Sequence, residues 1–169
     1  TGYAYKQFIK TFAENTENLI MGEPEDEYTT IQAGQATGEL VGGNLSLFTK
    51  LVCGKYAVNL QDKILFLEEL GFEAAPEMVN SNIYYLKQNG VFDRIAGLWI
   101  GNYEHPSKIG LEKIIKNAIG DEYKFPIIKS DNFGHIDKKI IIPIGTKAEI
   151  NTNEKIKIKL VEKCVDEGK

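Results

Sequence analysis

The sequence predicts an α/β fold: a three-layer β/β/α domain of the swivelling type with a partly parallel central sheet. Across residues 63–129, short uninterrupted apolar runs alternate with amphipathic stretches, the pattern of parallel strands covered on both faces and joined by crossover helices. Beyond residue 138 the pattern changes to lysine and isoleucine alternation, which suits antiparallel strands with one wet face. The chain has 169 residues, 43% of them apolar, enough for one good core and hence for a single domain.

Taken in order, Tyr5, Phe8, Ile9 and Phe12 recur at helical spacing and predict an opening helix, ended by Asn15-Thr-Glu-Asn18. Its apolar stripe is expected to pack on something absent from this sequence. Residues 22–28 carry Pro24 and four acids and read as an exposed, solvated loop, with a short strand over 29–32. Gly42-Gly43-Asn44 opens a helix over 45–52, with Asn44 as its N-cap. Glycines ahead of a helix start let backbone N–H groups approach an anion, although glycine pairs are also ordinary turn chemistry. Strands follow at 64–67, 96–100 and 126–129, separated by helices at 77–89 and 109–119. The last third is read as strands at 138–142, 147–150 and 155–160, with a turn at Asn151-Thr-Asn-Glu154.

Twenty-four acidic against twenty basic side chains give a net charge of -4, with the lysines scattered, so nucleic acid is excluded as a partner class. No apolar run is long enough for a membrane span. Cys53 and Cys164 lie far apart without zinc or redox spacing, which fits a reducing cytoplasm and predicts neither a metal nor a disulfide framework. A first residue Thr1 in place of Met reads as a trimmed or excised start.

Ligands of open α/β sheets gather beyond the carboxyl ends of the strands, and Glu68-Glu69 occupies such an end. Alternation across a strand sends the two carboxylates to opposite sides, which disfavours paired-carboxylate chemistry. A single carboxylate can instead accept the Nδ1–H of a histidine and leave Nε2 to take a proton from a hydroxyl nucleophile. His135, in the glycine turn Phe133-Gly-His135, is the candidate partner of Glu68. From spacing alone, Glu68 as a plain strand end and His135 as a turn residue remain open.

Several segments stand in one order: Gly34-Gln-Ala-Thr-Gly38, Gly42-Gly-Asn-Leu45, Ile64-Leu-Phe-Leu-Glu68, Gly90-Val-Phe-Asp93, Ile95-Ala-Gly97 with Ile100-Gly101, Gly134-His135 and Ile142-Pro-Ile-Gly145. Over residues 34–161 the chain resembles the C-terminal domain of the LD-carboxypeptidase family, which includes the microcin C immunity peptidases. Gly90-Val-Phe-Asp93 and the extended segment ahead of Gly34 look more like the microcin-immunity branch. The resemblance implies a serine peptidase with a Ser-Glu-His triad whose serine stands in an N-terminal flavodoxin-like domain, and it places the triad glutamate on Glu68 and the histidine on His135. It further implies no cofactor, a homodimer, and either an aminoacyl or peptidyl nucleotide amide or a murein tetrapeptide as substrate. Residues 1–33 would then be the connection from the N-terminal domain and 34–169 the C-terminal domain, inactive without the serine.

Gly43 and Asn44 are candidates for pocket lining, because a glycine-opened helix start near Glu68 would bring backbone donors to the site. Ser46, Ser81, Ser107 and Ser130 lack a nucleophile elbow. Trp99 reads as core, His105 as a loop histidine, and one of Tyr84 and Tyr85 as core. Asp131 and Asn132 would steer the imidazole or build its turn. Two other classes compete: a non-catalytic binding module, and a metal or acid–base enzyme built on Glu68, Glu69, His105 and His135.

Overall fold

A computed structural model of the chain describes residues 2–72 and 74–165. One seven-stranded sheet runs in the order β1-β5-β4-β3-β2-β6-β7. Its strands are β1 (Thr29–Gln32), β2 (Gln35–Asn44), β3 (Ile64–Glu68), β4 (Gly97–Ile100), β5 (Ile127–Lys129), β6 (Lys147–Asn151) and β7 (Ile158–Leu160). The helices are α1 (Tyr3–Phe8), α2 (Leu45–Val52), α3 (Pro76–Gln88) and α4 (Leu111–Ile119).

β2, β3, β4 and β5 pair in parallel, each step bridged by one of α2, α3 and α4. Because the strands advance in one direction across the sheet, all three helices fall on the same face. There Leu45, Phe48, Val79, Ile83, Leu86 and Ile115 pack on Leu65, Leu67, Leu98 and Ile127. The alternate strand residues Ile64, Phe66, Trp99 and Ile128 point the other way, into a second cluster with Ala148, Ile150, Ile158 and Leu160. Every residue of β3 and β4 is therefore buried, which is why those runs carry no polar alternation.

β2 belongs to both halves of the sheet. Leu40–Asn44 run parallel to β3, while Gln35–Glu39 run antiparallel to β6. The antiparallel end curls back over the parallel one: a Cβ on Gly97 in β4 would lie 3.0 Å from Ile150 of β6. Helix, sheet and curled sheet form the expected three-layer α/β arrangement.

Local signals explain the helix ends. Asn44 accepts the Leu47 N–H at 3.2 Å as the N-cap of α2. Pro76 opens α3, and Gly90 (φ 64°) closes it, with Val91 N–H bonded to the Leu86 carbonyl in a Schellman arrangement.

Several sequence expectations do not hold. Residues 138–142 form no strand, since the chain there is tied down by side chains and by single backbone bonds such as Ile140 N–H to the Asn132 carbonyl, 2.8 Å. The opening helix is present as expected: α1 continues as a π-helix over Ile9–Ala13, its buried residues are Gln7 and Thr11 with Asn15 beyond its end, and Tyr5 and Phe8 of the apolar stripe stay exposed while Ile9 and Phe12 are half-buried. Tyr84 and Tyr85 are both exposed, because Val79, Ile83 and Leu86 already fill the inner face of α3. Residues 22–28 form the expected loop, but Asp26 within it is 8% exposed and bonded on all sides.

Candidate active site

The carboxyl ends of β2, β3, β4 and β5 meet at one edge of the sheet. β3 ends on Glu68, in register with Asn44 of β2. β4 passes into Gly101 and Asn102, and β5 into Ser130 and an irregular loop that carries His135. His135 Nδ1 lies 2.8 Å from Glu68 Oε2. Glu68 is 6% exposed, whereas the imidazole is half exposed. A carboxylate only accepts, so Nδ1 carries the hydrogen and Nε2 is left as the acceptor nitrogen of the ring.

The approach of the two side chains depends on Gly134. Its φ of 119° suits glycine, and a Cβ would sit 3.0 Å from Glu68 Oε2 and 3.3 Å from the Asn102 Cβ. Phe133 anchors the same turn in the core, edge-on to Trp99 with centroids 4.6 Å apart. Its carbonyl accepts the Asn102 N–H at 3.0 Å, and the Asn102 carbonyl accepts the Glu69 N–H at 3.2 Å. Backbone bonds thus link the ends of β3 and β4 to the histidine turn.

Glu69 turns to the other side. It accepts from Asn44 Nδ2 at 2.7 Å, from Ser46 N–H at 3.0 Å and from Leu70 N–H at 2.9 Å, and also from the Ser46 hydroxyl. A carboxylate at the first turn of α2 satisfies the free N–H groups and the helix dipole. The donors expected to face a ligand there are therefore engaged by Glu69 and Asn44. Asn44 and His135 nevertheless line one cavity of about 350 Å³, together with Ser46, Lys50, Glu69 and Met78. Gly43 lies beside it on β2, with nothing within 4 Å of where a Cβ would stand. Lys50 is the cation of that wall.

Sequence reasoning missed the network behind the histidine loop. Trp99 Nε1–H donates to Ser130 Oγ, 2.8 Å, and Ser130 donates to Asn132 Oδ1, 2.7 Å. Asn132 Nδ2 reaches Tyr28 Oη at 2.8 Å and Asp26 Oδ2 at 3.3 Å. Asp26 also accepts from the Tyr3 hydroxyl, from Glu23 N–H at 2.8 Å and from Lys138 Nζ at 3.1 Å. Burial pushes the Asp26 carboxyl up, but the donors from Tyr3, Glu23, Lys138 and Asn132 outweigh it and hold it below its ordinary value. Burial raises the Tyr28 phenol well above its ordinary range, and that of Tyr3 likewise, with Asp26 adding to the latter. Asn132 steers no imidazole atom directly, and Asp131 pairs with Lys129 at 3.1 Å.

His105 is remote in role, its Nδ1 accepting Ser107 N–H at 3.1 Å. Each serine is engaged elsewhere: Ser46 with Glu69, Ser81 with the Glu77 carbonyl, Ser107 with His105 and Ser130 with Trp99. Among the described residues no group of three or more His, Cys, Asp or Glu side chains gathers in a metal-binding arrangement, and no helix is long and apolar enough to cross a membrane.

Comparison with known proteins identifies the family. Residues 37–150 match the family described as the LD-carboxypeptidase C-terminal domain. The probable murein peptide carboxypeptidase of Bacillus subtilis is 32% identical over 99% of this chain. This chain spans 51% of that relative's length. The microcin C7 self immunity protein MccF, solved with glutamyl sulfamoyl guanosine, shares the fold with a TM-score of 0.83 at 20% identity, over 96% of this chain and 56% of its own. An MccF-like protein from Bacillus anthracis aligns with a TM-score of 0.69 at 32% identity, over 80% of this chain and 43% of its own. With the match spanning the strands that end at Asn44, Glu68 and Ile100 and the loop of His135, the chain belongs to the LD-carboxypeptidase C-terminal domain family.

Proposed function

We propose that this chain supplies the glutamate and histidine of a Ser-Glu-His triad in a serine-type amide hydrolase, with Glu68 orienting His135 and His135 Nε2 acting as general base. The observation that carries it is the 2.8 Å contact between a buried carboxylate and the Nδ1 of a half-exposed imidazole at a strand-end cavity. The serine comes from an N-terminal domain that faces this edge of the sheet, residues 1–33 being the connection to it, and the assembled protein forms a homodimer. This chain alone is inactive, since all four of its serines have other partners.

His135 takes the serine proton as the hydroxyl attacks the amide carbon, and returns it to the leaving nitrogen. Glu68 offsets the imidazolium charge. The cavity beside His135 is near the lower limit for a small-molecule site, so it holds one residue of a longer substrate. Likeness to the immunity proteins favours an aminoacyl or peptidyl nucleotide. Likeness to the Bacillus subtilis relative, over nearly the whole chain, favours a murein tetrapeptide as the second reading.

The test is hydrolysis of an aminoacyl-sulfamoyl adenylate and of a murein tetrapeptide, by this chain and by a polypeptide that joins it to the serine domain. Turnover by the joined protein only, lost by orders of magnitude in Glu68→Gln and His135→Ala, is expected. The preferred substrate selects the branch. Turnover by the chain alone, or wild-type turnover in either variant, overturns the assignment.

A further inference from the structure

We propose that Asp26 is a positioning residue for His135, a clamp on both shoulders of the loop that presents the imidazole. The inference rests on the reading of Glu68 and His135 as the acid–base pair.

Residues 131–140 contain neither helix nor strand, and beyond the single backbone bonds of Asn102 N–H to Phe133 and of Ile140 N–H to Asn132 no ladder sets their path. Asn132 lies three residues before His135 and Lys138 three residues after it, and both bond the one Asp26 carboxylate, at 3.3 Å to Oδ2 and 3.1 Å to Oδ1. Between those two points the histidine side chain bonds Glu68, its one hydrogen-bond partner among the described residues, with its ring half exposed. Asp26 is itself fixed by Tyr3 and by Glu23 N–H. Lys138 lies over the Tyr3 ring, 4.7 Å from its centroid, which holds the ammonium on the clamp side. Asn132 is aimed by Ser130 and Tyr28.

A buried charge is poor value as a stability device, because its desolvation cancels much of its attraction. What a fully bonded buried carboxylate does provide is a single geometry for the groups around it. Here those groups are the two ends of the histidine turn. Displacement of a catalytic group by 1 Å costs about 100-fold in rate, so a loop without secondary structure needs such a fixture. Asp26 lies outside the 37–150 match, in a segment that reads as a connecting loop.

The experiment reads the ring nitrogens of the two histidines of this chain by ¹⁵N NMR, with urea midpoints measured on the same samples. His105 is the internal control, since its Nδ1 is an acceptor and its neutral ring carries the hydrogen on Nε2. In the wild type, neutral His135 is expected as the Nδ1–H tautomer. Asp26→Asn and Lys138→Met should both shift it toward the Nε2–H form that an unrestrained imidazole prefers, with His105 unchanged. Lys138 is half exposed, so its variant tests the clamp without altering a buried side chain. A lower urea midpoint with the wild-type tautomer retained in both variants, while Glu68→Ala, which leaves Nδ1 no acceptor, alters it, means that Asp26 only stabilises, and overturns the clamp while the pair stands. An unaltered tautomer in Glu68→Ala overturns the pair and the clamp with it.

Discussion

Gly134→Ala isolates the backbone requirement of the site from its chemistry. The residue sits at φ 119°, far from the regions open to L side chains. The added methyl would stand 3.0 Å from Glu68 Oε2 and 3.3 Å from both the Glu68 and Asn102 Cβ atoms. Both neighbours are buried, so neither has a free direction in which to retreat. Backbone strain of about 1–3 kcal/mol and overpacking of similar size predict a loss of about 2–6 kcal/mol. Gly90→Ala is the matched control. Gly90 also has a positive φ, 64°, but its nearest obstacle is an Asp93 oxygen at 3.5 Å, so only the left-handed penalty of about 1–2 kcal/mol applies. Urea denaturation of the two variants measures the difference, and ¹⁵N shifts of His135 report whether its bond to Glu68 survives. Equal destabilisation by the two alanines, with the His135 tautomer unchanged in Gly134→Ala, would refute the claim that the glycine exists to let the pair close.

Three further outcomes are expected. The depressed pKa of Asp26 means that its contribution is present above the ordinary carboxylate value, about 3.9, and is lost as pH falls through the folded value. The urea midpoints of wild type and Asp26→Asn should therefore differ at neutral pH and converge below about pH 4; a gap constant down to pH 2.5 would contradict this. Trp99→Ala, at a fully buried site that also bonds Ser130, should cost about 3–5 kcal/mol by denaturant unfolding, and a loss below about 1 kcal/mol would show that the cluster beneath Phe133 is not packed as described. Asn44→Ala removes a cap and a donor to buried Glu69, and should lower stability by about 1–2 kcal/mol, or roughly 2–8 °C in melting temperature; an unchanged melt would mean that α2 needs no cap.

The parallel core was legible because burial on both faces leaves a direct trace, the unbroken apolar runs of β3 and β4. The Asn44 cap was legible because capping is local. Glu68 and His135 could be selected from a strand end and a glycine turn, but joining them took the resemblance, since residues 67 positions apart leave no mark of contact. Asp26 escaped for the same reason: its acidic, proline-bearing surroundings are those of a solvated loop, and its burial comes from partners such as Asn132 and Lys138 far along the chain. Residues 138–142 have strand composition, but the backbone there bonds to the Asn132 carbonyl through Ile140 N–H and not to a neighbouring strand. The Tyr5, Phe8, Ile9 and Phe12 spacing was real, yet periodicity says only that a face exists. Which face packs was decided by the bonding of Gln7 to Glu23 and of Asn15 to Cys164 and Val165.

The double allegiance of β2 bears on how the chain reaches this state. Its first half waits for β6, and β1 waits for β5, so pairings such as Thr37 with Glu149 and Thr29 with Lys129 close very long loops. Entropy makes those closures late events, after the local steps from β2 through α2, β3, α3 and β4 have been assembled. During synthesis the nascent chain would thus hold an open parallel sheet with one bare face until β6 and β7 emerge to cover it. That bare face carries Ile64, Phe66 and Trp99, so the growing polypeptide is most prone to self-association in the interval before its last two strands are made.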